Sequence, residues 1–90
     1  MVQRDVTIAN LLGLHARAAA RFVHTAGTFE ARVRVSRDAR VIDGKSILGL
    51  LLLAAGRGTV ITILADGPDE DRALDTLVRL VEEGFGESCV

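Results

Sequence analysis

The sequence predicts an α+β open-faced sandwich, one sheet with helices packed on a single face, and three observations carry that reading. The chain has 90 residues, and at this size folding buries only about 60 to 65 per cent of the surface that the unfolded chain exposes, which leaves room for one core. Four segments have the alternating or β-branched pattern of strands and three repeat apolar residues at helical spacing, in the order β-α-β-β-α-β-α. The composition is 49% hydrophobic and 26% charged, without Trp or Tyr and with three Phe, so the core must be aliphatic. A sheet covered by helices on one side keeps its other face partly solvated. A single domain over residues 1–90 is expected.

Taken in order, Val2, Val6 and Ile8 share one parity, interrupted by Arg4, while Gln3, Asp5 and Thr7 share the other, which predicts a half-buried strand. Residues 10–13 break the pattern. From Ala16 to Ala26 the positions Ala19, Phe22, Val23 and Ala26 recur at spacings of three and four, an amphipathic helix ending near Gly27. Ala31, Val33 and Val35 then alternate with Arg32, Arg34 and Ser36, and Val41-Ile42 follows the polar connection Arg37-Asp38-Ala39-Arg40, a β-hairpin. Asp43-Gly44-Lys45-Ser46 is a turn whose Ser46 can cap a short apolar helix over Ile47 to Leu53, stopped by Gly56-Arg57-Gly58. Thr59 to Ala65 is a buried strand closed by Asp66-Gly67-Pro68. In the last helix Pro68 can occupy the first turn, Asp69, Glu70 and Asp71 suit the positive end, and Ala73, Leu74, Leu77, Val78, Val81 and Phe85 form the apolar stripe.

The formal net charge of −1 gives no global field for nucleic acid or an anionic membrane. Cys89 has no second cysteine to pair with, which fits a reducing compartment and a bystander in a frayed tail. The first residues lack the basic start and apolar run of a secretory signal. The stretch from Ile47 to Ala55 is too short to span a membrane. A cytoplasmic protein is expected.

His15 carries the chemistry. It lies between the Gly13-Leu14 turn and the first helix, where unpaired backbone N–H groups and about half a positive elementary charge make a seat for phosphate. A ring nitrogen placed there can attack phosphorus, and Arg17 can offer a fork of donors to the phosphoryl oxygens. A capping or solvated histidine is the bland alternative. Arg17, Ala20, Arg21 and His24 line one helix face running away from His15, either a solvated basic stripe or a docking face for acidic partners.

Leu12-Gly13-Leu14-His15-Ala16-Arg17 together with Asp43-Gly44-Lys45-Ser46-Ile47 resembles the paired signature of the HPr family, the histidine-containing phosphocarriers of the bacterial phosphoenolpyruvate-dependent phosphotransferase system. The resemblance extends through Ala54 to Thr59 and Ala65-Asp66-Gly67 to Phe85-Gly86-Glu87. It implies the same element order with a four-stranded antiparallel sheet and three helices on one face. It also implies that His15 accepts a phosphoryl group on Nδ1 from enzyme I and passes it to enzyme IIA proteins or domains, with Arg17 stabilising the group. Such a protein is a stoichiometric carrier rather than a stand-alone enzyme. It needs no cofactor or metal of its own, phosphoenolpyruvate and magnesium acting at enzyme I, and is expected to be a monomer. Ser46 matches a residue phosphorylated by an HPr kinase/phosphorylase in part of the family; its cap role alone also accounts for a serine there. One departure is Ala18, where the family most often has proline after the arginine. The same departure occurs in the nitrogen-related NPr branch, so sugar uptake and a regulatory relay both remain open.

The apolar helix cannot bury every side chain against a small sheet. Leu50 and Leu53 are expected inside, with Ile47, Leu48, Leu51 and Leu52 at a rim near His15, and the resemblance implies that partners meet this rim together with Leu12, Ala16, Ala20, Arg21 and His24. The rival class is a ferredoxin-like binding module in which His15 is incidental. Its strands would lack the stacking aromatics and clustered positive charge of many RNA-binding sheets. Two histidines nine residues apart with one cysteine near the C-terminus make no metal site, and Gly44-Lys45-Ser46 lacks the upstream glycine of a phosphate-binding loop, position 39 being Ala39.

Overall fold

The computed structural model of the chain describes residues 1–86, so Glu87 and Cys89 lie outside the described residues. The elements are β1 (Val2–Thr7), α1 (Ala16–Ala26), β2 (Arg32–Arg37), β3 (Arg40–Asp43), α2 (Ile47–Leu52), β4 (Val60–Asp66) and α3 (Glu70–Glu82), followed by a 3-10 turn over Gly84–Gly86. The strands form one antiparallel sheet in the order β1-β4-β2-β3. This is the expected open-faced α+β fold with three helices on one face.

Strand parity decides which face is covered. Val2 pairs with Ala65 and Val6 with Ile61, while Val33 and Val35 sit opposite Ala65 and Ile63. Val6, Val33, Val35, Ile61, Ile63 and Ala65 are buried beneath the helices. Onto them α1 lays Ala18, Ala19, Phe22 and Ala26, and α3 lays Ala73, Leu74, Leu77, Val78 and Val81. Burying a side chain the size of Phe22 contributes about 1.5 to 3 kcal/mol, so these residues dominate stability. Arg4 shares the covered parity, but β1 is an edge strand and its guanidinium reaches out to Asp75 of α3 at 3.3 Å. On the open face, Thr62 donates to Asp5 at 2.6 Å.

Four local expectations are corrected. Phe85 is buried but lies outside the last helix: Gly84 and Phe85 take φ of +68° and +58°, turning the chain so that the ring drops into the core. Pro68 precedes the helix instead of occupying its first turn, because Asp69 is the N-cap residue. The Asp69 carboxylate does not cap α3. It accepts the backbone N–H groups of Glu30 at 2.9 Å and Ala31 at 2.8 Å, and the bond from Glu30 chiefly holds its carboxyl below the usual range. The hairpin connection shortens to Asp38-Ala39, since Arg37 and Arg40 are paired. Finally, α2 ends before Gly56: Ala54 reverses the chain with φ of +51°.

Candidate functional site

His15 is the N-cap residue of α1, with extended backbone at φ −83° and ψ 179°. Its Nδ1 accepts the backbone N–H of Arg17 at 3.2 Å, and its carbonyl accepts the N–H of Ala19 at 2.9 Å. An imidazole nitrogen thus takes the place usually filled by a Ser or Asp oxygen. The ring is half-buried.

The loop before it is pinned from several sides. Gly13 donates to the Asn10 carbonyl at 3.2 Å, Asn10 Nδ2 donates to the Gly13 carbonyl at 2.8 Å, and Leu14 donates to the Ala55 carbonyl at 2.9 Å. Gly13 has φ of +67°, and a Cβ on it would lie 2.6 Å from the Ala55 oxygen and 2.8 Å from the Gly56 Cα. Only glycine fits there without displacing backbone. The loop holds the histidine in place, and Nδ1 becomes available once its bond from the Arg17 N–H opens. Phosphate added at the site would meet the positive end of α1, where the Arg17 N–H is directed at Nδ1.

Arg17, Ala20, Arg21 and His24 are all exposed along α1, as is Ala16. With Thr25 and Leu80 these four line a shallow hollow. Arg21 also donates from Nη1 to the carbonyl of Phe85, so this cation ties α1 to the C-terminal turn. Across the site, the Ser46 Oγ accepts the N–H of Gly49 at 3.1 Å and caps α2. Leu50 and Leu53 are buried, whereas Ile47, Leu48, Leu51 and Leu52 are exposed, Leu48 at 69% and Leu52 at 58%. Leu12 is 67% exposed. Residues of α1 and α2 pack together, which places both faces around the His15 loop.

Four residues around the site stand out only in the structure. In the sequence Asn10 marks only a pattern break, although a polar residue in a Gly-containing turn is a standard signal for a loop-holding side chain. Exposed Leu11 adds to the apolar rim. Arg37 Nη1 donates to the carbonyls of Leu53 and Ala54 at 2.8 Å each, and Arg40 Nη1 donates to that of Leu52 at 2.7 Å. No periodic pattern announces such contacts. Among the described residues no group of three or more His, Cys, Asp or Glu is placed to hold a metal ion. No helix among them is long and apolar enough to cross a membrane.

Residues 2–83 match the family model described as the PTS HPr component phosphorylation site. The chain is 52% identical over 87 residues to the phosphocarrier protein HPr of Cupriavidus necator, covering 97% of this chain and 98% of that one. It is 42% identical over 87 residues to the phosphocarrier protein NPr of Shewanella violacea, covering 97% and 96%. A crystal structure of HPr from Thermoanaerobacter tengcongensis superposes with a TM-score of 0.94 at 41% identity, over 98% of this chain and 99% of that one.

Proposed function

The chain belongs to the HPr family, the phosphocarriers of the phosphotransferase system, and from that premise we propose that His15 is the residue on which it carries the phosphoryl group. The observation that supports this assignment is the N-cap position of His15, with Nδ1 turned toward the helix N–H groups. Of the two readings of this protein, carrier and ferredoxin-like binding module, family membership favours the carrier.

In this reading, the His15 Nδ1 lone pair attacks the phosphorus of phosphohistidine on enzyme I. The new N–P bond forms as the donor N–P bond breaks, and the donor imidazole leaves with the electron pair. As the new bond forms, the Nδ1 lone pair leaves its contact with the Arg17 N–H, and this N–H turns to the phosphoryl oxygens, which accept from the helix end. Arg17 supplies charge-assisted donors to those oxygens. The reverse geometry serves transfer onward to an enzyme IIA protein or domain. The free protein is consumed in the first half-cycle and regenerated in the second, a carrier and not a stand-alone catalyst. Phosphoenolpyruvate and magnesium act at enzyme I, and the carrier needs no cofactor.

Leu12, Ala16, Ala20, Arg21, His24, Ile47, Leu48, Leu51 and Leu52 make the docking face, an apolar rim beside a basic helix face that suits acidic partner surfaces. Ser46 at the edge of that rim is the site for an HPr kinase/phosphorylase: phosphate there adds negative charge beside the rim and repels acidic partners. The setting is the cytoplasm, the carrier acts as a monomer, and its output is sugar uptake or a regulatory relay.

Intact mass after incubation with enzyme I, Mg²⁺ and phosphoenolpyruvate tests the assignment. The parent chain gains one phosphoryl mass that acid removes, and His15→Ala gains none. Phosphorylation of His15→Ala, or none of the parent chain with sugar-type and nitrogen-type enzymes I, refutes it.

A further inference from the structure

We propose that Arg37, with Arg40 beside it, is a positioning residue for partner docking: the pair holds the C-terminal end of α2 so that Leu48, Leu51 and Leu52 meet the partner in one fixed orientation. The inference rests on the reading of α2 as a docking surface.

Helix α2 has six residues, of which only Leu50 is buried. A helix that short does not persist on its own, and its exposed leucines give it no anchorage. Its two ends must therefore be held by other parts of the chain. Ser46 holds the first end. At the other end the last carbonyls of a helix have no internal partner, and glycine in the left-handed conformation is the common solution. Here the left-handed residue is Ala54, at φ +51°. An alanine stays there when its surroundings impose it.

Those surroundings are the β2–β3 hairpin. Arg37 and Arg40 face one another in register across the two-residue connection Asp38-Ala39, with Asp38 at φ +56°. Arg40 takes the Leu52 carbonyl and Arg37 those of Leu53 and Ala54. The following carbonyl, of Ala55, takes the Leu14 N–H in the loop before His15. Four successive carbonyls thus divide between the hairpin and the His15 loop, so the arginines set the docking helix against the phosphoryl acceptor. Both cations also lie at the negative end of the helix dipole. Their bonds end on the Leu52, Leu53 and Ala54 carbonyls, so their loss should weaken docking and leave the chemistry intact.

Steady-state phosphorylation by phospho-enzyme I, with the full chain as the varied substrate, separates these effects. For Arg37→Ala, well below its Tm, KM rises about five- to tenfold, the loss of two hydrogen bonds each weighing about two- to threefold in docking. At saturation kcat stays within about twofold, as does the hydrolysis half-life of the isolated phosphohistidine. Arg37→Lys falls between parent and alanine variant, because an ammonium keeps the charge and several donors on one nitrogen but, on a shorter side chain, does not reach the place where Nη1 serves both carbonyls. Arg40→Ala, losing a single bond, raises KM about two- to threefold. An unchanged KM in folded Arg37→Ala, or a loss confined to kcat, overturns the proposal. If Arg37→Ala does not fold, unchanged KM in both Arg37→Lys and Arg40→Ala overturns it. Failure of the parent chain to accept phosphate would instead strike the carrier assignment itself.

Discussion

Replacing Gly13 by alanine tests how tightly the acceptor loop is built. The backbone sits at φ +67°, and the left-handed conformation costs a residue with a Cβ about 1 to 2 kcal/mol. The added carbon also meets the Ala55 oxygen at 2.6 Å and the Gly56 Cα at 2.8 Å. Both are backbone atoms that cannot rotate aside, and overpacking of this kind costs about 1 to 3 kcal/mol more. The total is about 2 to 5 kcal/mol, a large share of the stability of a small domain. Gly58 provides the control, since it shares the left-handed backbone at φ +86° but has nothing within 4 Å of its Cβ position. Gly58→Ala should lose only about 1 to 2 kcal/mol. Gly56, open and without positive φ, should tolerate alanine or gain slightly from it. In urea, with an m-value of about 1 kcal/mol/M, these losses separate the midpoints of the Gly13 and Gly58 variants by about 1 to 3 M. A Gly13→Ala midpoint equal to that of Gly58→Ala would mean that the 55–56 backbone yields freely, and the loop would not be the rigid support described above.

Ser46→Ala removes the cap of α2 and should cost about 0.5 to 2 kcal/mol, so a loss near 1 kcal/mol lowers Tm by about 4 to 8 °C in thermal unfolding; an unchanged Tm would show that the Gly49 N–H needs no partner. Asp69→Asn probes acid stability. Because the folded-state pKa of Asp69 is depressed, its contribution is fully present above the unfolded carboxylate range near about 3.9 and is lost as pH falls through the lower folded value. The parent chain is then more stable than Asp69→Asn at neutral pH, and the gap narrows toward about pH 3. Urea midpoints of both proteins across that range check it, and a gap independent of pH would refute the role of the carboxylate.

Much of this architecture is written in local patterns. The parity of Val2, Val6, Val33 and Val35 placed the core face, and the spacing of Ala19, Phe22 and Ala26 placed α1, because a buried stripe repeats with the period of its element. His15 and Ser46 were legible as helix starts, since capping depends on residues two or three apart. Interactions across the fold left no such trace. Asp69 bonds backbone groups 38 and 39 residues away, and Arg37 reaches carbonyls 16 and 17 residues on, so neither could be found from spacing. Phe85 misled for a related reason. Its position four residues after Val81 continues the helical stripe, but the glycines beside it let the chain leave the helix and reach the same core by another path.

The strand order has a consequence for how the protein is made. The N-terminal strand pairs only with β4, so Val2 waits for Ala65. Contacts of such long sequence separation slow folding, which for mixed folds of this kind takes roughly milliseconds or longer. On the ribosome, β1 and the His15 loop emerge first yet have no partners for β1 or Leu14 until residues 55–66 have been synthesised and have cleared the exit tunnel. A nascent chain interrupted before that point would carry its histidine without the loop that presents it, and protease resistance in the N-terminal third should appear only once the C-terminal half is present.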